Sequence, residues 1–193
     1  NIISPDGTVK IFNSSNGLSG DIPGAIHEDR SGRIWVGSYG TGLDIIEKNG
    51  KISHFGHKDG LEMNTIVSIF EDSNGTVFLG GFDNSLTLFK NGAFHSFSKE
   101  GLLKNRTVWA ITQGIDGSIL LGTDGAGIVK MKDNEFTVLD RESGLSDNKI
   151  TAIHKDSENI IWAGTYDNGI NIITPEGKIS HVKKEDGLFD DTI

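Results

Sequence analysis

Residues 148–165 read NKITAIHKDSENIIWAGT, and the same pattern stands at 21–38 (DIPGAIHEDRSGRIWVGS), 64–81 (NTIVSIFEDSNGTVFLGG) and 106–123 (RTVWAITQGIDGSILLGT). The recurrence holds column by column. Ile34, Val77, Ile119 and Ile161 share one position, and Trp35, Phe78, Leu120 and Trp162 the next. Val36, Leu79, Leu121 and Ala163 follow, then Gly37, Gly80, Gly122 and Gly164 at spacings of 43, 42 and 42. Gly-Leu pairs beginning at Gly17, Gly60, Gly101, Gly144 and Gly187 keep nearly the same beat. A period of about 42 residues is what four short strands and their turns occupy in a radially repeated sheet.

Within each unit, turn residues divide four short apolar segments, in the first unit near 24–29, 33–38, 43–48 and 51–56. Asp29 to Gly32 and Asp72 to Gly75 are Asp-x-x-Gly connections, in which the carboxylate bonds backbone two residues on and glycine supplies a left-handed position. Asn159 stands where the other units have Gly32, Gly75 and Gly117, and asparagine tolerates the same conformation. Asn49-Gly50 and Asn91-Gly92 are hairpin signals. No segment keeps helical apolar spacing over ten residues. The second segment is apolar on consecutive residues, as in Ile34-Trp35-Val36 and Ile119-Leu120-Leu121, so both of its faces must be covered. Ala25, Ser68, Ala110 and Ala152 form a small-residue column suited to inner strands converging on an axis. These features predict an all-β chain, a β-propeller fragment of four-stranded antiparallel blades. The rival, a β-solenoid, has shorter repeats and lacks tight Asn-Gly hairpins.

Residues 1–193 are read as one partial propeller. It comprises an outer half-blade at 1–17, four blades at 21–60, 64–101, 105–144 and 147–187, and the start of another at 188–193. Residues 1–18 align on 171–188 without a gap, so Asn1 falls inside a unit. The expectation is a piece of a longer polypeptide whose remaining blades, seven in all, complete a ring; propellers close with about four to eight.

Composition narrows the function. The 26 glycines among 193 residues, with only 3 prolines, point to many turns. A formal charge of −9 argues against a nucleic-acid groove or an anionic membrane surface, which need cations. The absence of cysteine excludes disulfides and thiolate metal sites. No apolar run approaches the length of about 18 residues that a membrane span requires, so no direct membrane contact is expected of this segment.

The motif from Asn148 through Asp156, Trp162, Gly164 and Thr165 to Gly169-Ile170 resembles the two-component regulator propeller repeat. Asn159 departs from it where the family has glycine. The third unit lacks its Asp and Trp (Gly114, Leu120), and the second has Phe78 and Ser85 for its Trp and Gly. The resemblance covers essentially the whole chain. It implies a periplasmic sensor region of a bacterial hybrid two-component regulator, a family that often carries two seven-bladed propellers before a membrane span. It also implies a homodimeric parent and a small-molecule ligand of the oligosaccharide class. The family motif is scaffold, and no site residue carries over from it.

Candidate ligand contacts come from departures from the template. The loops between second and third strands, and those between blades, open on one face of a propeller. There one column holds Tyr39, Phe82, Asp124 and Tyr166. Arg106 replaces Asp21, Asn64 and Asn148, and Trp109 replaces Gly24, Val67 and Thr151. Aromatic faces with carboxylate and guanidinium groups suit sugar binding. The competing reading has Trp109 filling a gap between blades and Arg106 as a solvated charge. No catalytic residue, cofactor or metal is assigned: His27 with His154, and His54 with His181, share columns and so are inherited with the repeat. A protein-interaction scaffold is the alternative function. A streptogramin-lyase-like enzyme is a more distant one, needing an off-template His and Glu near the axis. If the chain is an open arc, its bare blade faces should associate. Sedimentation of the isolated 193 residues is then expected to show dimers or larger species, and a compact, stable monomer would count against the arc.

Overall fold

The computed structural model describes residues 1–3, 5–82, 86–97 and 101–193. Among them every regular element is a strand or a short 3-10 turn. The substitution at Ser85 lies outside the described residues. A two-stranded sheet pairs β1 (Ile2–Ile3) with β2 (Val9–Lys10). Four antiparallel four-stranded meanders follow. Sheet I holds β3 (Pro23–Glu28), β4 (Ile34–Ser38), β5 (Gly42–Ile46) and β6 (Ile52–Phe55). Sheet II holds β7 (Ile66–Glu71), β8 (Val77–Gly81), β9 (Leu86–Lys90) and β10 (Ala93–Ser96). Sheet III holds β11 (Val108–Gln113), β12 (Ile119–Thr123), β13 (Ile128–Lys132) and β14 (Glu135–Leu139). Sheet IV holds β15 (Ile150–Lys155), β16 (Ile161–Thr165), β17 (Ile170–Ile173) and β18 (Ile179–Val182). The first strands β3, β7, β11 and β15 lie against one another in order, as inner strands around an axis do.

Three separate cores lie along the row of sheets. Trp35, Leu43, Ile45, Leu61, Met63, Ile66, Val77 and Leu79 form the first, between sheets I and II. Phe78, Leu86, Leu103, Val108, Ile119, Leu121 and Val129 are among those forming the second, and Ile128, Leu145, Ile150 and Ala163 the third. Full burial of each large side chain is worth about 1.5–3 kcal/mol, so each joint between sheets is held chiefly by this term. The glycine column has a steric cause. A Cβ on Gly37 would come within 2.5 Å of Ile66 Cγ2, and one on Gly122 within 2.9 Å of Ile150 Cγ2. The first inward residue of each inner strand fills the hollow that the preceding sheet's glycine leaves. At the Gly-Leu beat the third unit differs from the alignment: Leu103 is the buried residue, while Leu102 is exposed.

The Asp and Trp of the repeat are one device. Asp29 Oδ1 accepts from Ser31 N and Arg33 N, which closes the turn. Its Oδ2 accepts from Arg33 Nε at 2.6 Å and from the Trp35 indole at 2.8 Å. Asp156 repeats this with Glu158 N, Ile160 N and Trp162 Nε1. In sheet III acceptor and donor are lost together, as Gly114 and Leu120. Asp116 then shapes the turn through Ser118 N and Oγ and pairs with Lys130 Nζ at 2.8 Å. Asn159 takes φ 64°, the left-handed role expected for it. Asn91-Gly92 forms a two-residue turn with both residues at positive φ, whereas Asn49-Gly50 sits in a longer connection closed by Glu47 N to Lys51 O. Trp35 is wholly buried, but Trp162 is 36% exposed. Its ring occupies the face of sheet IV on which no further sheet of this chain packs.

On the rim carrying the Asp turns, neighbouring sheets are also stitched by side chains. Glu71 accepts from Arg30 N at 2.8 Å and pairs with Arg30 Nε at 2.9 Å. Gln113 Oε1 accepts from Ser73 N at 3.0 Å. The corresponding residue of sheet IV is Lys155.

Two outcomes follow from the Asp–Trp device. Trp35→Phe keeps the ring and removes the indole donor to a buried carboxylate, and is expected to cost about 1–3 kcal/mol in denaturant unfolding. The same change at Trp162 should cost visibly less. The acid dependence has a definite sign. Burial raises the Asp29 carboxyl, but hydrogen bonds from Trp35 and Arg33 and the Arg33 charge more than reverse it, leaving it below the usual range. The Trp162 indole likewise lowers Asp156, against burial and with help from the Ile160 and Glu158 amides. Groups lowered on folding contribute fully above their unfolded value of about 3.9 and lose that contribution as pH falls through the folded value. Stability measured against pH should therefore begin to fall below about pH 4, and less steeply in Asp29→Asn.

Candidate functional site

The opposite rim is formed by the loops between second and third strands and by the segments entering each sheet. They are bonded to one another: Gly42 N donates to Asn64 O at 2.9 Å, and Gly127 N to Asn148 O at 2.8 Å. The column Tyr39, Phe82, Asp124 and Tyr166 sits here on a fixed mount. Each backbone N–H donates to the carbonyl just before or at the start of the same sheet's inner strand: Tyr39 to Ile22, Phe82 to Thr65, Asp124 to Thr107 and Tyr166 to Lys149. The backbone is constant and the side chains vary.

The Trp109 column is equally constrained. In every sheet the pairing of first and second strands slips by one residue, between Pro23 and Ala25, Ile66 and Ser68, Val108 and Ala110, and Ile150 and Ala152. The extra residues are Gly24, Val67, Trp109 and Thr151. A bulge of this kind turns its side chain out of the ladder. The bulge column lies beside the loop column: a Cβ on Gly24 would come 3.2 Å from the Tyr39 ring and 2.3 Å from Ile66 O. The pairs are complementary in size, Gly24 with Tyr39, Val67 with Phe82, Trp109 with Asp124 and Thr151 with Tyr166. Each sheet thus presents one aromatic ring on this rim, from one column or the other.

The rings form a row. Tyr39 and Phe82 meet edge to face at 5.9 Å between centroids, and Phe82 and Trp109 at 5.4 Å. Beyond Trp109 the row opens into a hollow of about 460 Å³ lined by Trp109, Asp124, Lys149, Thr151 and Tyr166. An adjoining hollow of about 470 Å³ is lined by Phe82, Asn105, Arg106, Thr107, Trp109 and Asp124. Trp109 and Asp124 are the ridge between them. Lys149 Nζ lies 5.2 Å from the Tyr166 ring centre and 3.8 Å from Asp124 Oδ1. Arg106 Nη1 donates to the Asp124 carbonyl at 3.3 Å and lies over Gly125, where a Cβ would come within 2.9 Å of it. Below Tyr166, Asn168 Nδ2 donates to Asp147 Oδ2 at 2.6 Å. Burial raises Asp147, and the Lys149 amide and Asn168 more than offset it, keeping it below the ordinary carboxylate range.

All six residues singled out in the sequence therefore share one rim, Tyr39 and Phe82 toward sheets I and II and Arg106, Trp109, Asp124 and Tyr166 around the two hollows. Lys149 and Thr151 were not singled out. The signal for Lys149 was present, since it is the only charged residue in a column otherwise holding Ile22, Thr65 and Thr107. A third hollow, between β1–β2 and sheet I, is lined by Phe12, Leu18, Ile26, Ile34, Val36 and Ile46 among others. These are packing residues on a sheet face that no four-stranded sheet of this chain covers. His27 and His54 stand on the first and last strands of sheet I, and His154 and His181 on those of sheet IV. His54 Nδ1 is 2.6 Å from the buried Asp44, His181 Nε2 is 2.9 Å from Gly144 O, and His27 Nε2 is 3.9 Å from Glu71.

The fold and rim define a β-propeller module with an aromatic-lined loop face. The family described as "Two component regulator propeller" matches residues 16–40 and 144–167. No curated protein matches the chain. Among solved structures, the extracellular domain of a hybrid two-component system of B. thetaiotaomicron superposes with a TM-score of 0.81 at 21% identity, over 94% of this chain. The chain spans 25% of that domain's length. The extracellular domain of a one-component system of the same organism gives 0.69 at 18% identity, over 92% of this chain and 31% of its own. Virginiamycin B lyase from Staphylococcus aureus gives 0.67 at 20% identity, over 83% of this chain and 55% of its own. At these identities the likeness is one of fold. No helix of the described residues is long and apolar enough to cross a membrane.

Proposed function

We propose that the chain is the ligand-sensing propeller segment of the periplasmic part of a bacterial two-component regulator, and that its ligand is a carbohydrate held on the aromatic rim. One observation carries the ligand reading: each sheet supplies one ring to the same rim, and the row opens at Trp109 into hollows walled by Tyr166, Asp124, Arg106 and Lys149. Sugar C–H faces stack on such rings, and sugar hydroxyls bond the charged groups beside them. The repeat family, and the likeness to extracellular domains of two-component systems, support the sensor class.

A ligand touching several sheets would bind one arrangement of a homodimeric parent better than another and shift it by that difference in affinity. The remaining blades of the parent would complete the ring. We read this segment as non-catalytic. The inner-strand column is Ala25, Ser68, Ala110 and Ala152, and His27, His54 and His181 sit in repeat positions tied to other groups. A protein-interaction scaffold is the second reading, favoured by Ile22 and Tyr39, both exposed on the same rim.

In the intact receptor, Trp109→Ala is expected to abolish carbohydrate-dependent signalling and to shift the thermal midpoint only slightly, because the ring's contact with Phe82 is worth about 0.5–1.5 kcal/mol. A large fall in melting temperature would assign Trp109 to packing instead. Unchanged carbohydrate-dependent signalling would remove the rim from the sensing surface.

A further inference from the structure

The joint between sheets III and IV carries a pair of opposite charges that the two other joints lack. Asp124 and Lys149 face each other in an antiparallel bridge, which links the second-to-third-strand loop of sheet III to the segment entering sheet IV. Gly125 N and Gly127 N both donate to Asn148 O, at 3.0 and 2.8 Å, so the backbone on either side of the bridge fixes where the two side chains stand. Tyr39 with Thr65, and Phe82 with Thr107, hold the same two positions at the joints before it. Those joints close without either charge.

The pair does little for the fold. Lys149 Nζ stands 3.8 Å from Asp124 Oδ1, beyond the ~2.7–2.9 Å of a strong charge-assisted bond. Both side chains are about half exposed, the setting in which an ion pair adds little stability. Each therefore keeps hydrogen-bonding capacity at the wall of the hollow, the carboxylate to accept and the ammonium to donate. Tyr166 holds the ammonium in place, 5.2 Å from its ring centre. Trp109, carried out of the ladder on its bulge, supplies ring surface to the same hollow.

Charge in the hollow is balanced. Asp124 stands against Lys149, and Asp147 and Asp167 lie on the same rim. An anionic guest would meet Asp124, and a cationic one Lys149. A neutral polyol instead finds an acceptor and a donor side by side, one for each of two neighbouring hydroxyls. At about 460 Å³ the hollow also falls within the ~300–1,000 Å³ of small-molecule sites.

We propose that this hollow holds one neutral pyranose unit of the glycan, stacked on Trp109, with two adjacent hydroxyls read by Asp124 and Lys149. One hydroxyl donates to the carboxylate and its neighbour accepts from the ammonium. This rests on the carbohydrate reading and adds the charge and the hydroxyl pattern of the unit that is read.

The test is calorimetric titration of the intact receptor's extracytoplasmic part. The neutral probes are cellotriose, mannotriose, galactotriose and maltotriose, and the charged one is trigalacturonate. The expected result is that one neutral probe binds at least about tenfold more tightly than trigalacturonate, with an affinity that does not fall as salt rises. Asp124→Ala and Lys149→Met should each weaken that probe by about tenfold or more, and Trp109→Ala should abolish its binding. Monodeoxy forms of the probe that binds, titrated into the unmodified protein, should lose most affinity at two neighbouring carbons. Trigalacturonate binding as tightly, indifference to Asp124→Ala or to Lys149→Met, or losses at carbons that are not neighbours overturns the neutral-diol assignment and leaves the carbohydrate reading standing. Failure of every probe to bind overturns both.

Discussion

The structure depends on sheets that cannot stand alone. The second strand of each four-stranded meander is apolar on both faces, so every sheet needs a neighbour on each side. Radial stacking meets the demand, and the rest follows from it. The glycine column exists because the next inner strand presses into it, the small-residue column because inner strands converge, and the three cores because there are three joints. Where the stack ends, the same residue types emerge into solvent, as Trp162 does while Trp35 stays wholly buried.

A constant scaffold frees other positions to vary. The amide before each second-to-third-strand loop always meets the same carbonyl, and the bulge always falls at the same step of the inner strand. Side chains at these two positions change without disturbing the ladder. The exchange of Gly24–Tyr39 for Trp109–Asp124 shows the limit, because the neighbouring columns share one volume.

Much of this was legible in the sequence, for a physical reason. A repeat prints each structural requirement four times, so Ile34, Val77, Ile119 and Ile161 mark a strand that one occurrence would leave ambiguous. The turn at Asn159 and the shared rim of Tyr39, Phe82, Trp109 and Tyr166 were readable the same way. What escaped notice depends on geometry that a column does not encode. The bulge at Trp109 is a slip in pairing, visible only once both strands are placed. The indole of Trp35 reaches Asp29 six residues back, a bond whose acceptor and donor are both replaced in the third unit, by Gly114 and Leu120. Lys149 was overlooked because it sits inside the motif, where variation reads as noise until its ammonium is seen over Tyr166. Leu102 and Leu103 exchanged roles because the run from the Gly-Leu pair to the small inner-strand residue is one residue longer in the third unit, Gly101 to Ala110 against Gly60 to Ser68.

The stitching on the Asp-turn rim differs from joint to joint. Glu71 ties sheet II to sheet I and Gln113 ties sheet III to sheet II, each by accepting a main-chain N–H from the sheet before it. Lys155 brings sheet IV no acceptor with which to reach sheet III. That joint is therefore sewn along one margin and merely pressed together along the other, and its sewn margin is the one beside Tyr166 and Lys149. Like a book with its spine on the loop rim, the pair of sheets is most compliant along the opposite edge.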